Sequence, residues 1–576
     1  MDSCLGLSRK RVRVTDRDFE ETLTRWCDEV KTDHNNDSYV SDSEYILSDH
    51  NSDTDQEESE YLEEDEQCDE NLETEDKNKY FYGKGKKGES KFRWSKTPLV
   101  SSYVRTPKHN IIRQLPYYVM LCSKCSNQKL SKMRDLYKDP TKSDLRDLDM
   151  IELNAFLGLL IYIAAFKSND ENITSLFSTD GTGRDIFRCV MNRNRFAILL
   201  QCFRFDDSET RQQRKENDPL APISAIFEKF VANCQAAYTI GHLACVDEML
   251  ISFRGRSKFK MYIPQKPCKY VLKLMALTDS RNNYFYNGYL YCGKKTDGNT
   301  LTETEKKLLI PTQAELRLSI PIQGSNRNIT DDNWFSSIEL VNVLKTKNLT
   351  YIGTLKKNKS EIPPEFQPNK TRQIGSSLYG FPENVTLLSH VPKKQKAVLL
   401  VSSMHSSAAQ DPDVDKPEMI HFYNTTKSGV DSLDQKCALY STGRRTQRWP
   451  MAIFFRILDI CAANAYILFK SIKIERKDTR LEFMKNLGKQ LITEELERRQ
   501  SNSRVRQEIK VAIRNILGRK EEQPIESVGK LAIRKYCSIC PKKLKRKTYT
   551  LCSRCRRPVC LQCSSPMFNM HLNIFF

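Results

Sequence analysis

The amino-acid sequence predicts a multidomain α/β protein, with a strand-containing core set between helical segments and a small cysteine-rich module near the C-terminus. Three observations predict it. Apolar positions follow helical spacing before residue 243 and after residue 437, whereas strand-like runs fall between them. The chain has 576 residues, enough for several domains with substantial cores. Three Cys-x2-Cys pairs, Cys537/Cys540, Cys552/Cys555 and Cys560/Cys563, fall within 27 residues.

Taken in order, residues 1–95 read as a disordered acidic arm. From Ser41 to Asp76 the chain is mostly Asp, Glu, Ser and Asn, which cannot offset its ordering entropy. Such an arm either competes with a polyanion for the basic body or serves as a solubilising tail. Residues 96–242 read as helical, with Leu153, Phe156, Leu157, Leu160, Ile161 and Ala164 on one face and a second helix opening at Asn192. Leu243–Val246, Tyr270–Leu277 and Tyr284–Cys292 read as strands, the last two joined by the turn Asp279–Asn283. Thr302–Leu318 reads as helical, followed by a short strand before Asp332, a helix over Ser337–Leu344 and a strand over Leu349–Leu355. Three strands, helix, strand, helix, strand resembles an RNase H-like core, here 243–355. Residues 356–424 interrupt it as an insertion with Pro-rich and extended segments, and 425–440 return to the core with the helix of Asp431. Residues 441–530 read as a helical region and linker, and 531–576 as the cysteine-rich module.

Charge narrows the function. Net charge is +19 overall, but residues 1–76 hold 7 Lys/Arg against 26 Asp/Glu, so the remainder carries +38. A field of that sign concentrates polyanions and makes phosphate contacts salt-dependent. The start, Met1-Asp2-Ser3-Cys4, lacks a secretory pattern, and the apolar stretch Ala155–Phe166 is too short for a bilayer of about 30 Å. No membrane role is expected. The 19 cysteines are then read as metal ligands and core groups in a reducing compartment. Arg9-Lys10-Arg11 and Lys542–Lys547 suit nuclear import.

Asp247 follows the apolar run Leu243–Val246, Asp332 lies at a strand end, and Asp431 at a helix start. Three separately scaffolded carboxylates in a basic protein suit two Mg²⁺ or Mn²⁺ ions about 3.5–4 Å apart, acting on phosphodiesters. Asp434, one turn beyond Asp431, stands on a similar helix face as an auxiliary group. Arg254, Arg256, Lys258, Lys260, Lys266, Lys269 and Lys273 follow the first aspartate, and Arg444, Arg445 and Arg448 follow the third, as candidate phosphate contacts. Trp334 and Phe335 read as core beside the site. The cysteine pairs read as tetrahedral zinc ligands, one or two ions in all, that supply much of the module's folding free energy.

The residues around these aspartates resemble the piggyBac transposase family from Asn154 to Lys470, with a related tail. The matching stretches include Asp247-Glu248, Phe253-Arg254-Gly255-Arg256, Pro264 to Lys273, Asp332-Asn333-Trp334-Phe335-Ser336-Ser337, Gly429-Val430-Asp431 with Leu433-Asp434-Gln435, and Arg448-Trp449-Pro450. The resemblance implies a DDE/D recombinase whose Asp247, Asp332 and Asp431 bind the catalytic metals, with Asp434 also important. It implies cut-and-paste transposition at TTAA targets through hairpinned ends, with double-stranded terminal inverted repeats as partner, a homodimer as the assembly, and no small-molecule substrate. Family tails resemble a cross-brace finger that recognises transposon ends. That implies Cys537, Cys540, Cys560 and Cys563 in one zinc site, and Cys552 and Cys555 in a second for which His571 is the remaining candidate. A domesticated DNA-binding protein without cleavage is the alternative, and an RNase H-like nuclease without strand joining a third reading.

Overall fold

The structure is a computed structural model. It describes residues 143–519, short of 294–295, 383–384, 412–415 and 473–477, and residues 531–564, short of 553–556; before residue 143 it describes 46–47, 79–83, 92–98, 127–128 and 130–131. A central mixed sheet is built from β1 (Leu243–Ser252), β2 (Met261–Tyr262), β3 (Tyr270–Asp279), β4 (Phe285–Leu290), β5 (Asn328–Asp331), β6 (Thr350–Thr354), β7 (Ser377–Gly380), β8 (Thr386–Lys393) and β9 (Lys396–Ser402). The order is β3-β1-β5-β6-β9-β8-β7, with β2 and β4 both pairing the outer side of β3. Strand β3 runs antiparallel to β1 and β4, whereas β5 is parallel to both β1 and β6. The elements follow along the chain in the expected order; β1 and β3 are longer than read from the sequence, whereas β4 and β6 are shorter. Strand β1 continues to Ser252, because Met249 and Ile251 are buried and keep the alternation going.

The segment 356–424 extends the sheet. Strand β9 pairs with β6 in antiparallel fashion, covering an edge that would otherwise leave its backbone groups unpaired. The reading of residues 1–95 as a wholly disordered arm is corrected at its end. Tyr80–Gly83 and Phe92–Ser95 form a hairpin whose buried Trp94 donates from Nε1 to the Glu361 carbonyl at 2.9 Å. Aromatic residues replace the acidic ones after Asp76, and they supply the apolar area that the acidic stretch lacks. The acidic stretch itself lies outside the described residues, apart from a short strand at 46–47.

Helices flank the sheet. They include α1 (Met150–Ala165), α2 (Arg193–Cys202), α3 (Ser224–Ala237), α4 (Ile310–Ser319), α5 (Ile338–Thr346), α6 (Glu418–Thr426), α7 (Gly429–Leu439), α8 (Trp449–Ile472), α9 (Arg480–Ser501) and α10 (Gln507–Leu517). Helix α1 starts on an Asp149 cap, and α9 on a capping box formed by Thr479 and Glu482. The two pack so closely that a β-carbon at Gly158 would stand 2.6 Å from the Ile492 side chain. Among the described residues α8 is the one helix long and apolar enough to cross a bilayer, which corrects the reading of Ala155–Phe166 as the longest apolar run. However, 67% of its most apolar window is buried within the protein. Its Asn464 donates to the Phe285 carbonyl and its Asp459 accepts from the Thr442 N–H, so it serves as a core helix.

Candidate active site and cysteine cluster

Strand register brings the first two aspartates side by side. Cys245 on β1 is opposite Thr330 on the parallel β5, and two residues further along each chain stand Asp247 and Asp332. Side chains alternate along a strand, so Asp247 shares a face with Cys245. Helix α7 begins on that face. Cys245 Sγ donates to the Lys427 carbonyl at 2.9 Å, and Thr330 Oγ1 to Thr426 Oγ1 at the same distance. Gly429 is required at the contact, because a β-carbon there would lie 2.6 Å from Thr278 Oγ1 and 2.7 Å from Cys245 Cβ. Asp431, in the first turn of α7, is thereby held close enough to Asp247 on β1 to act on its carboxyl.

Local hydrogen bonds orient two of these groups. Asp332 accepts from the Trp334 N–H at 2.9 Å, and Asp247 from the Glu248 N–H at 2.7 Å. Burial, then the charges of Glu248, Asp332 and Asp431, pushes the Asp247 carboxyl well above the usual range. Burial and Glu248 push Asp332 up to about 6, against the opposing pull of Lys273 and Lys356. Asp431 is also raised, by burial first and then by Asp434 and Glu248, with Lys266 and Lys427 pulling the other way. Four acidic groups therefore share one neighbourhood and repel one another. Asp331, the neighbour of Asp332, is different: it is buried and receives hydrogen bonds from Ser336 and Tyr351, a structural role.

Asp434 is committed to Arg456 on α8, whose Nη1 donates to it at 2.6 Å. Among the candidate phosphate contacts, Arg254, Arg256, Lys258, Lys269 and Arg445 are exposed, and Lys266 is half-buried beside Asp431. The others are corrected. Lys273 is wholly buried and Lys260 nearly so, above the Tyr270 ring. Arg448 donates to the Leu200, Gln201 and Phe203 carbonyls, and Arg444 to those of Ser168 and Glu171. Arg448 and Arg444 tie the helical region together, because their guanidinium groups donate to its carbonyls inside the protein. Trp334 and Phe335 pack as core, edge to face at 4.6 Å. Three neighbours of the aspartates, Glu248, Lys356 and Lys427, were not among the candidate site residues, although each falls within a stretch that matches the family; nothing in a linear chain shows which charges converge.

In the C-terminal module, the thiolate-forming atoms of Cys537, Cys540, Cys560 and Cys563 all lie within 4.8 Å of one another and could hold a metal ion. Cys540 Sγ stands 3.5 Å from that of Cys560 and 3.4 Å from that of Cys563, too far for a disulfide. The Cys560 N–H, 3.3 Å from Cys537 Sγ, leads in pulling that thiol down to about 6. Cys552 is described and its N–H donates to the Arg557 carbonyl, whereas Cys555 and His571 lie outside the described residues. Among the described residues no other group of three or more possible ligands closes to that spacing, the carboxylates included.

Comparison with known proteins agrees with this architecture. A family model described as Transposase IS4 matches residues 119–466. The human PiggyBac transposable element-derived protein 2 is 21% identical over 336 residues, 55% of each chain, so the chain spans about half the length of that curated relative. The cryo-EM structure of the piggyBac transposase synaptic complex with hairpin DNA is 34% identical, with a TM-score of 0.68 over 77% of this chain and 92% of that one. The family-model match and the likeness of sequence and fold over most of the chain place this protein in the piggyBac transposase family.

Proposed function

We propose that this chain is a DNA transposase that cuts and pastes at TTAA targets, with an RNase H-like core carrying Asp247, Asp332 and Asp431 as the ligands of two Mg²⁺ or Mn²⁺ ions. The observation that carries the reading is the convergence of these aspartates from β1, the end of β5 and the first turn of α7. Their raised proton affinities come from burial first and from the neighbouring acidic charges second, and divalent cations would offset both, so the donor set fits such ions. When bound, the ions supply an activated water or 3′-hydroxyl and stabilise the leaving oxygen. The residues of this chain hold that chemistry in place: the Asp332 turn and the seat of α7 at Gly429 fix the carboxylates, while Lys266, Lys356 and Lys427 lie near enough to steer a phosphodiester toward them. Exposed Arg254, Arg256, Lys258, Lys269 and Arg445 position DNA through its phosphates.

Zinc fits the four-cysteine cluster. Bonds of about 2.3 Å to sulfur give tetrahedral edges near 3.8 Å, close to the observed 3.4 and 3.5 Å. The module is read as the reader of transposon ends, the protein as nuclear and as a homodimer on double-stranded DNA. The solved relative was captured with hairpin DNA, which supports hairpinned ends here. A second reading, a domesticated DNA-binding protein without cleavage, is favoured by the transposable element-derived human relative.

The test is an end-cleavage assay in Mg²⁺. Wild-type protein nicks and hairpins its cognate ends. Asp332→Asn binds them with similar affinity but cuts at least about a thousandfold more slowly, in the range expected when electrostatic stabilisation of the reacting phosphate is lost. Unchanged cleavage by that variant removes Asp332 from the mechanism, and DNA binding without cutting by the wild type selects the domesticated reading.

A further inference from the structure

Glu248 and Lys273 form a buried ion pair behind the aspartates, and its geometry is unusual for a structural bridge. Alternation along β1 turns Glu248 to the sheet face opposite Asp247. Lys273 lies diagonally across on β3, because Glu248 is in register with Met275 and Leu250 with Lys273. The Glu248 side chain is 4% exposed and that of Lys273 is 0% exposed. Lys273 Nζ stands 3.7 Å from Glu248 Oε1, beyond hydrogen-bond range, and neither it nor either Glu248 oxygen has a hydrogen-bond partner. The ammonium also lies 5.8 Å from the centre of the Trp334 ring, whose backbone N–H holds Asp332.

Stability alone does not account for such a pair. Two desolvated charges without hydrogen bonds do less for a core than apolar side chains of similar volume. Function gives a reason for their presence. Asp247, Asp332, Asp431 and Glu248 carry four negative charges when ionised, and a phosphodiester adds one. Two divalent cations supply four positive charges, so one is missing among these groups; Lys266, Lys356 and Lys427 are more exposed than Lys273 and more strongly screened. Burial pulls the proton affinity of the Lys273 ammonium down, against the opposing fields of Glu248, Asp247, Asp332 and Asp297, among which it lies.

We infer that Lys273 and Glu248 are positioning residues that set the net charge of the site, with Lys273 neutralising Glu248 so that three aspartates and the scissile phosphate match two divalent cations. The inference rests on the reading that those aspartates bind metal. Neither residue contacts substrate, and both act through the field at the aspartates.

Mn²⁺ affinity of the full-length protein, measured by electron paramagnetic resonance beside a thermal unfolding curve, tests this. Lys273→Met leaves Glu248 uncompensated and tightens Mn²⁺ binding about tenfold; Glu248→Gln leaves Lys273 uncompensated and weakens it about tenfold, since a unit charge at such range acts strongly on a divalent ion. The double variant returns to within about threefold of wild type by the same Coulombic balance. A merely structural pair lowers the unfolding temperature in both single variants without moving Mn²⁺ affinity in opposite directions. Shifts of one sign, or none, overturn the inference. Glu248→Gln, which keeps the shape, decides the matter alone if Lys273→Met does not fold. Failure of the wild-type protein to take up Mn²⁺ would instead sink the metal-binding reading beneath it.

Discussion

Asp332 combines a fixed geometry with an unfavourable charge. Its turn holds one oxygen on the Trp334 N–H, while burial and Glu248 raise its carboxyl to about 6. The folded state therefore binds this proton more tightly than the unfolded chain does. Without metal, stability falls as pH rises from about 4 through about 6, and the cost is fully present above that. Asp332→Asn removes the charge. In metal-free protein at pH 7 it should raise stability by about 3 kcal/mol, with the advantage fading toward pH 4. Thermal melts across pH check this, and a destabilised Asp332→Asn at pH 7 would contradict it. The position of Asp332 just past a strand was legible because an Asp-Asp-Asn turn ending a strand is a local feature. Lys273 and Arg448 were misplaced, since charge is written in the sequence and burial is not: one lies under the sheet, and the other is spent on three carbonyls of the helical region.

At the scale of elements, the site depends on how α7 is seated. Gly429 lets the helix start approach β1 and β3, which sets where Asp431 stands. Gly429→Val forces a β-carbon into Cys245 and Thr278. Overpacking of this kind costs about 1–3 kcal/mol, and the shifted Asp431 should lose at least about tenfold in end cleavage, with DNA binding retained. Wild-type cleavage rates in this variant would show that the seat of α7 does not matter. The strands of this region were legible because apolar runs and turn residues mark them, as at Asp279–Asn283, where Asn283 adopts a left-handed φ of 63°. The partner of β6 was not legible. Its antiparallel pairing with β9 joins positions some fifty residues apart, and nothing local announces it. The hairpin around Trp94 was hidden for the same reason, since its stability comes from a distant segment, Glu361 and Phe381.

The whole molecule pairs a catalytic body with a module that cysteines organise. The spacing of the cysteine pairs announced this module directly, because tetrahedral ligation imposes a local signature. The body was legible through motifs in order, whereas its joining of α1 to α9 required the folded chain. Since the module has little core of its own, removing zinc with a zinc-selective chelator should unfold it and abolish specific recognition of transposon ends. The main unfolding transition of the body should stay where it was. Calorimetry and a DNA-binding titration check both halves, and unchanged end specificity after zinc removal would remove the module from recognition.

The most direct measurement is an anomalous-scattering map of the protein–DNA complex loaded with Mn²⁺. The account predicts two peaks about 3.5–4 Å apart between the Asp247, Asp332 and Asp431 carboxylates, at the scissile phosphate. A map with DNA bound and no manganese among those side chains would contradict it.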